Sequence, residues 1–316
     1  MQSIQDLNLR SYSSNDQEDL WKLYNTSELG KLWPIKENRL LDVLLGKSDV
    51  NNKIQIKIME LNKTVIAFIC IKNKIVGNEN RGVIALVLVD KKYRKRGIGT
   101  LLINSAKDWF RETGVTVIKL GGGAGSWLWS GVPKNLNCVD FFKKNSFVIK
   151  DELSSDMFQN IEKYAPPKKV YDCLVKENVT ITQADPSDKE QILEVEKKYF
   201  LDWVDFYKQD LENSKHKEIL LAKHEDKIIG ITGIWVGNCN WDLLFENNVG
   251  GGKALGIIPE WRGKGIGLAL KSYGTEILRD NHVKYCWIGW TYAEDFYKKL
   301  GYEVWQRYYT GEIRLR

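Results

Sequence analysis

Histidine is scarce in this chain. Only His216, His224 and His282 occur among 316 residues, and no two stand four apart. That argues against a histidine metal site and against a Ser/His/Asp relay. The five cysteines, Cys70, Cys138, Cys173, Cys239 and Cys286, are odd in number, scattered and without CxxC spacing. Such usage points to reduced thiols in a cytoplasm and away from zinc or a disulfide frame. Their apolar neighbours mark them as small packing groups. No apolar run approaches the roughly 18 residues of a membrane span. The opening MQSIQDLNLRSYSS has no cationic segment leading into an apolar one, so no secretory signal is expected.

Charge excludes little by itself. The net charge is +6, from 47 Lys and Arg against 41 Asp and Glu. The basic residues concentrate in two turns instead of interleaving with aromatics along a surface, so nucleic-acid binding is not expected. An anionic small ligand suits the balance. With 43% hydrophobic residues over 316 positions, the chain can fill two cores.

What is present is a repeat. RKRGIG spans Arg94–Gly99 and RGKGIG spans Arg262–Gly267, 168 residues apart. Each follows an apolar strand and precedes an amphipathic helix. The repetition extends outward in constant order. LNLRSYSSNDQEDLWKLY (7–24) parallels VTITQADPSDKEQILEVE (179–196), each a strand, an N-cap turn and a helix. KIQIKIMELNKTVIAFICIKN (53–73) parallels KEILLAKHEDKIIGITGIWVG (217–237), both hairpins with polar turns. VDFFKKNSF (139–147) parallels EDFYKKLGY (294–302). Each half therefore reads as one β-α-(α)-β-β-β-α-β-α-β unit, an α/β fold made twice. We expect an N-terminal domain over 1–150 and a C-terminal domain over 177–316. Between them, 151–176 carries Ala165-Pro166-Pro167 and reads as linker.

Glycine between a strand and a helix lets an anion approach backbone N–H groups at the helix N-terminus, and neighbouring Arg and Lys add charge. The phrase lacks the GK[ST] ending of a P-loop and the G-x-G-x-x-G of a dinucleotide fold. Strand, R-x-x-G-x-G, helix, and then DFYKKLGY one strand later resemble the GNAT superfamily of acyl-CoA-dependent N-acyltransferases. The likeness covers both halves. It implies two tandem domains, each a mixed, mostly antiparallel central sheet flanked by helices. It implies acetyl-CoA as co-substrate, without a metal. Carried over, Leu255, Gly256 and Ile257 offer main-chain contacts to the pantetheine. Arg262, Gly263, Lys264, Gly265, Ile266 and Gly267 cradle the pyrophosphate.

The copies differ where chemistry would show. Aligning the last motif sets Phe142 against Tyr297. Members of this family commonly use a tyrosine there to protonate the departing thiolate, and only a phenol has the proton. The resemblance thus implies that Tyr297 is the catalytic acid and that the C-terminal domain works. The N-terminal domain would be a degenerate coenzyme binder or a wall of the acceptor site. For the base, Asp295 has its counterpart in Asp140 and reads as an N-cap, while Glu294, Asp242 and Glu246 remain open.

Gly99 to Phe142 spans 43 positions and Gly267 to Tyr297 spans 30, an excess of 13 matched by GGGAGSWLWSGVP (121–133). With twelve tryptophans in the chain, Trp127, Trp129 and Trp241 are candidates to stack on a sugar. Asp202 and Asp242 are candidates to hold its ammonium or hydroxyls; packing is the competing role for the indoles. Within the family, the sequence is most similar to bacterial glucosamine/glucosaminide N-acetyltransferases. The expected partner is a small-molecule amine, an amino sugar. An acceptor of another kind (a mycothiol-type precursor, an aminoglycoside, a protein N-terminus) and a non-catalytic acyl-CoA sensor are the alternatives.

Overall fold

The computed structural model describes residues 7–45, 52–121, 129–237, 240–246 and 248–315. The chain divides into two compact units, 1–154 with 306–316, and 155–305.

Unit 1 opens with β1 (Leu7–Ser11), α1 (Gln17–Asn25), α2 (Glu28–Leu32) and α3 (Glu37–Leu45). Strands β2 (Asn52–Leu61), β3 (Thr64–Val76) and β4 (Glu79–Val89) follow. Next come α4 (Ile98–Glu112), β5 (Val117–Leu120), β6 (Val132–Pro133) and α5 (Val139–Lys144). The chain then enters β7 (Val148–Asn160). Unit 2 repeats the plan with α6 (Asp172–Lys176), β8 (Thr180–Gln183), α7 (Lys189–Tyr199) and α8 (Val204–Glu212). It continues through β9 (Ile219–His224), β10 (Lys227–Val236), β11 (Val249–Ile257) and α9 (Ile266–Asp280). It ends with β12 (Tyr285–Thr291), α10 (Glu294–Lys298) and the start of β13 (Glu303–Arg314).

Local chemistry explains the parallel. The first helical turn is entered in the same way in both units. The Ser13 N–H donates to the Asp16 carboxylate at 2.7 Å, and the Asp185 N–H to Asp188 at 2.9 Å. Each hairpin turns on two left-handed residues, Asn62 and Lys63 in one unit, Glu225 and Asp226 in the other. That is the turn whose twist matches its strands. Helix α4 buries Ile98, Leu102, Ile103, Ala106 and Phe110, a stripe at helical spacing. These residues fill the core beneath β3 to β5 with Ile69, Ile71 and Ile84. Helix α9 does the same in unit 2 through Ile266, Leu270 and Leu278, which pack with Leu220, Ile234 and Ile288.

In both units antiparallel pairing surrounds one parallel pair: β4 with β5, and β11 with β12. The domain boundaries depart from the sequence reading. Residues 151–160, read as linker, continue β7, and Ser155–Asn160 pair antiparallel with β12 inside unit 2. The end of the chain belongs to unit 1, where Glu312–Arg314 pair with β5 and Tyr308 and Tyr309 with β6. The polar run KDELSSDMFQN disguises β7, because Ser154, Ser155 and Asp156 are buried polar residues. The prolines come after that strand has ended.

Candidate active site in the second unit

The site starts from a strand that outruns its neighbour. Parallel pairing of β11 with β12 covers Val249–Gly252 against Tyr285–Ile288 and stops, while β11 continues to Ile257. On its other side β11 breaks register with β10, leaving Ala254 and Leu255 without partners there before Gly256 and Ile257 pair again. Ala254 is left-handed, with φ 49°. The Tyr207 hydroxyl donates to its carbonyl at 2.6 Å, and the Thr232 hydroxyl donates to the Lys253 carbonyl at 3.2 Å. The break is thus held by side chains, and Leu255 within it is one of the three residues to which the resemblance gives main-chain contacts.

Beyond β11 comes the glycine turn. Gly263 and Gly265 have φ of +77° and +86°, conformations that side chains rarely adopt, and Gly265 caps α9. A β-carbon on Gly263 would meet nothing within 4 Å, so the turn is open there, while one on Gly265 would touch Cys173 at 3.4 Å. Leu268 and Ala269 both bond back to the Gly265 carbonyl. The amides of Ile266 and Gly267, which lack intrahelical acceptors, remain for an anion. This fits a pyrophosphate. The cations have other duties as well. Arg262 Nε donates to the Ile257 carbonyl at 2.9 Å, tying the turn to the strand end, and Arg94 does the same to Val89 at 2.9 Å in unit 1. Lys264 binds Glu177 at 2.7 Å and lies 4.3 Å over the Trp261 ring.

Helix α10 packs on this turn through Phe296, whose ring lies 3.4 Å from the β-carbon position of Gly267, and carries Tyr297 as the next residue. Tyr297 is half-buried among Phe296 and Tyr302, at centroid distances of 4.9 and 5.8 Å. Burial, with Cys286 adding to it, raises the phenol above its usual range, so it stays protonated. Beneath it lies a buried polar group: Tyr302 donates to Cys286 Sγ at 3.1 Å, and Lys271 Nζ lies 3.6 Å from the same sulfur. Burial lowers the Lys271 ammonium.

The other sequence candidates fall in several places. Trp129 is buried in unit 1 against Tyr24 and Trp33, and Trp241 is buried in unit 2 against Trp305. Other rings occupy these indoles, so the packing role describes them. Trp127 lies outside the described residues, as does the side chain of Asp242, whose backbone is in a short 3₁₀ turn. Asp202 is exposed at the entry to α8. Asp295 is not the N-cap of α10; Ala293 is, and Asp295 sits in the first turn, solvent-facing and paired with Lys298 at 3.2 Å. Glu294 accepts from Ser155 at 2.5 Å and from Lys298 at 3.1 Å. Glu246 holds Lys284 at 2.6 Å.

One residue escaped the sequence reading. Glu196 is 0% exposed, neither of its oxygens has a protein partner, and burial pushes its carboxyl up to about 8. The signal was available: it follows Ile192 by four on the apolar face of α7.

Unit 1 has the same architecture and a cavity of about 790 Å³ where β4 outruns β5. Gly97, Ile98, Trp129, Phe141 and Phe142 line it. The volume is there, but the residue on α5 is a phenyl ring, so cavity size does not identify the transferring unit.

Among the described residues, no helix is long and apolar enough to cross a membrane, and no three His, Cys, Asp or Glu side chains form a metal cluster. No curated protein matches the sequence. Solved structures share the fold. The glucosamine N-acetyltransferase region of a fungal multi-domain GH3 β-N-acetylglucosaminidase superposes with a TM-score of 0.90 at 23% identity over 97% of this chain. This chain spans only 38% of that protein's length. A GCN5-related N-acetyltransferase from Sphaerobacter thermophilus gives 0.70 at 15% identity, covering 98% of this chain and 96% of the other. A tandem GNAT protein of clavulanic acid biosynthesis gives 0.65 at 14%, covering 98% of both. The model of the acetyltransferase (GNAT) family matches residues 15–147 and again 184–302. The chain belongs to that family, as a tandem GNAT acetyltransferase.

Proposed function

We propose that unit 2 transfers an acetyl group from acetyl-CoA to the primary amine of glucosamine or of a glucosamine-containing oligosaccharide. The carrying observation is the phenol of Tyr297 on α10, the helix that packs on Gly267 of the glycine turn through Phe296, where α5 of unit 1 carries Phe142. Gly263, Ile266 and Gly267 hold the pyrophosphate through N–H groups, and Leu255 to Ile257 lie along the pantetheine. The neutral amine nitrogen attacks the thioester carbon, the carbon–sulfur bond breaks, and Tyr297 gives its proton to sulfur. The free main chain of β11 polarises the carbonyl oxygen. Unit 1 keeps the cavity and the bracing arginine without the acid, so we assign it binding without transfer.

The amino-sugar assignment draws support from the likeness, at a TM-score of 0.90, to a protein with a glucosamine N-acetyltransferase region, and the sequence likeness points the same way. The test is a panel of acceptors with acetyl-CoA: glucosamine, chitosan oligosaccharides, an aminoglycoside and a peptide. Thiol release fastest with glucosamine or its oligomers is expected, and preference for the peptide would overturn the assignment.

A further inference from the structure

Glu196 is a carboxyl group that the fold itself does not use. It lies in the last turn of α7, completely buried, without a hydrogen-bond partner on either oxygen. Two neighbouring polar groups of this layer are engaged. Asp210 of α8 takes Lys253 of β11 at 2.6 Å, and Tyr207 of α8 is committed to the Ala254 carbonyl. Burial raises the Tyr207 phenol, and Glu196 from α7, Asp210 from α8 and Tyr297 from α10 raise it further through their charge. Lys253 is therefore already taken by Asp210, and a lone carboxylate in such a place is strongly unfavourable.

Its position follows from the backbone. Phe200, one turn later, bonds its N–H to the Glu196 carbonyl at 2.8 Å. The Phe200 ring covers Gly256, where a β-carbon would come within 2.6 Å of it. Phe200, which closes the turn carrying Glu196, thus lies over Gly256, next to Ala254 and Leu255, which have no partner on β10. Resting on the functional reading above, we infer that Glu196 binds the ammonium group of the acceptor in unit 2 and takes the proton the amine must lose.

The step balances. The carboxylate accepts one proton from R–NH₃⁺, giving R–NH₂ and a neutral carboxyl. The nitrogen lone pair then forms the amide bond as the carbon–sulfur bond breaks, and the sulfur takes the Tyr297 proton. The amide nitrogen releases its second proton to restore the phenol, and the carboxyl returns its proton to solvent. Burial brings the carboxyl close to the titration range of an amine, the condition for efficient transfer.

The experiment compares wild type with Glu196→Gln, which keeps the shape of the neutral carboxyl. Thiol release is followed across pH for two amines of different basicity, with acetyl-CoA binding measured by calorimetry. We expect kcat/KM for the amine to fall about 10²- to 10³-fold, with acetyl-CoA binding unchanged. In wild type a rising limb near pH 8 is common to both amines; in the variant each limb follows the amine alone. A merely structural role would leave the pH profile in place. Transfer by wild type with the same profile in the variant overturns this inference alone. Failure of wild type to acetylate any amine overturns it together with the functional reading.

Discussion

The hydroxyl of Tyr207 donates to the carbonyl of Ala254 at 2.6 Å, and Ala254 is the left-handed residue at which β11 leaves register. A helix side chain thereby holds the strained residue of the strand that presents the ligand edge. Such a backbone state costs on the order of 1–3 kcal/mol unless its surroundings enforce it. Tyr207→Phe should lower unfolding free energy by about 1–2 kcal/mol in urea. It should also weaken acetyl-CoA binding in calorimetry. Unchanged binding would show that the register break does not need the hydroxyl.

Gly265 caps α9 with φ +86°. Gly265→Ala adds about 1–2 kcal/mol of backbone strain at the point where the anion approaches. Acetyl transfer by the variant should show a KM for acetyl-CoA raised about tenfold or more. A steady-state titration against acetyl-CoA checks it.

Glu177 competes for Lys264, which it holds at 2.7 Å. Glu177→Gln frees that ammonium for a phosphate. We expect acetyl-CoA to bind about two- to fivefold more tightly at low salt, the gain shrinking as salt is added. Calorimetry at two ionic strengths measures it, and weaker binding would mean that the pair shapes the turn instead of competing with the ligand.

Glu196 also predicts a pH dependence of stability. Burial raises its carboxyl from 4.5 to about 8. Between those values the folded protein holds a proton that the unfolded chain has lost, so stability falls as pH rises through this window. Glu196→Gln lacks that loss. Its Tm should exceed that of wild type by an amount that grows from pH 5 to pH 8 and then levels. Parallel Tm curves would place the carboxyl in water.

The duplicated plan was legible because each motif carries its own physics. Paired glycines, N-cap turns and the two polar hairpin turns all lie where the sequence placed them. The Phe142–Tyr297 difference was equally plain. The exchange of strand ends was not, because β7 hides buried Ser155 and Asp156 in a run that reads as solvated. The role of Lys264 was half legible: its charge is in the sequence, but Glu177 lies 87 positions away. Glu196 was passed over because a glutamate in a helix rich in charge ordinarily faces water. Its spacing of four from Ile192 is the one sign in the sequence that this glutamate faces inward.

Thiol release from acetyl-CoA with glucosamine, measured for wild type and Tyr297→Phe side by side, tests the account most directly. The account predicts rapid release by wild type and a kcat lower by about 10²-fold or more in the variant, with acetyl-CoA binding intact. Equal turnover by the two proteins would contradict it.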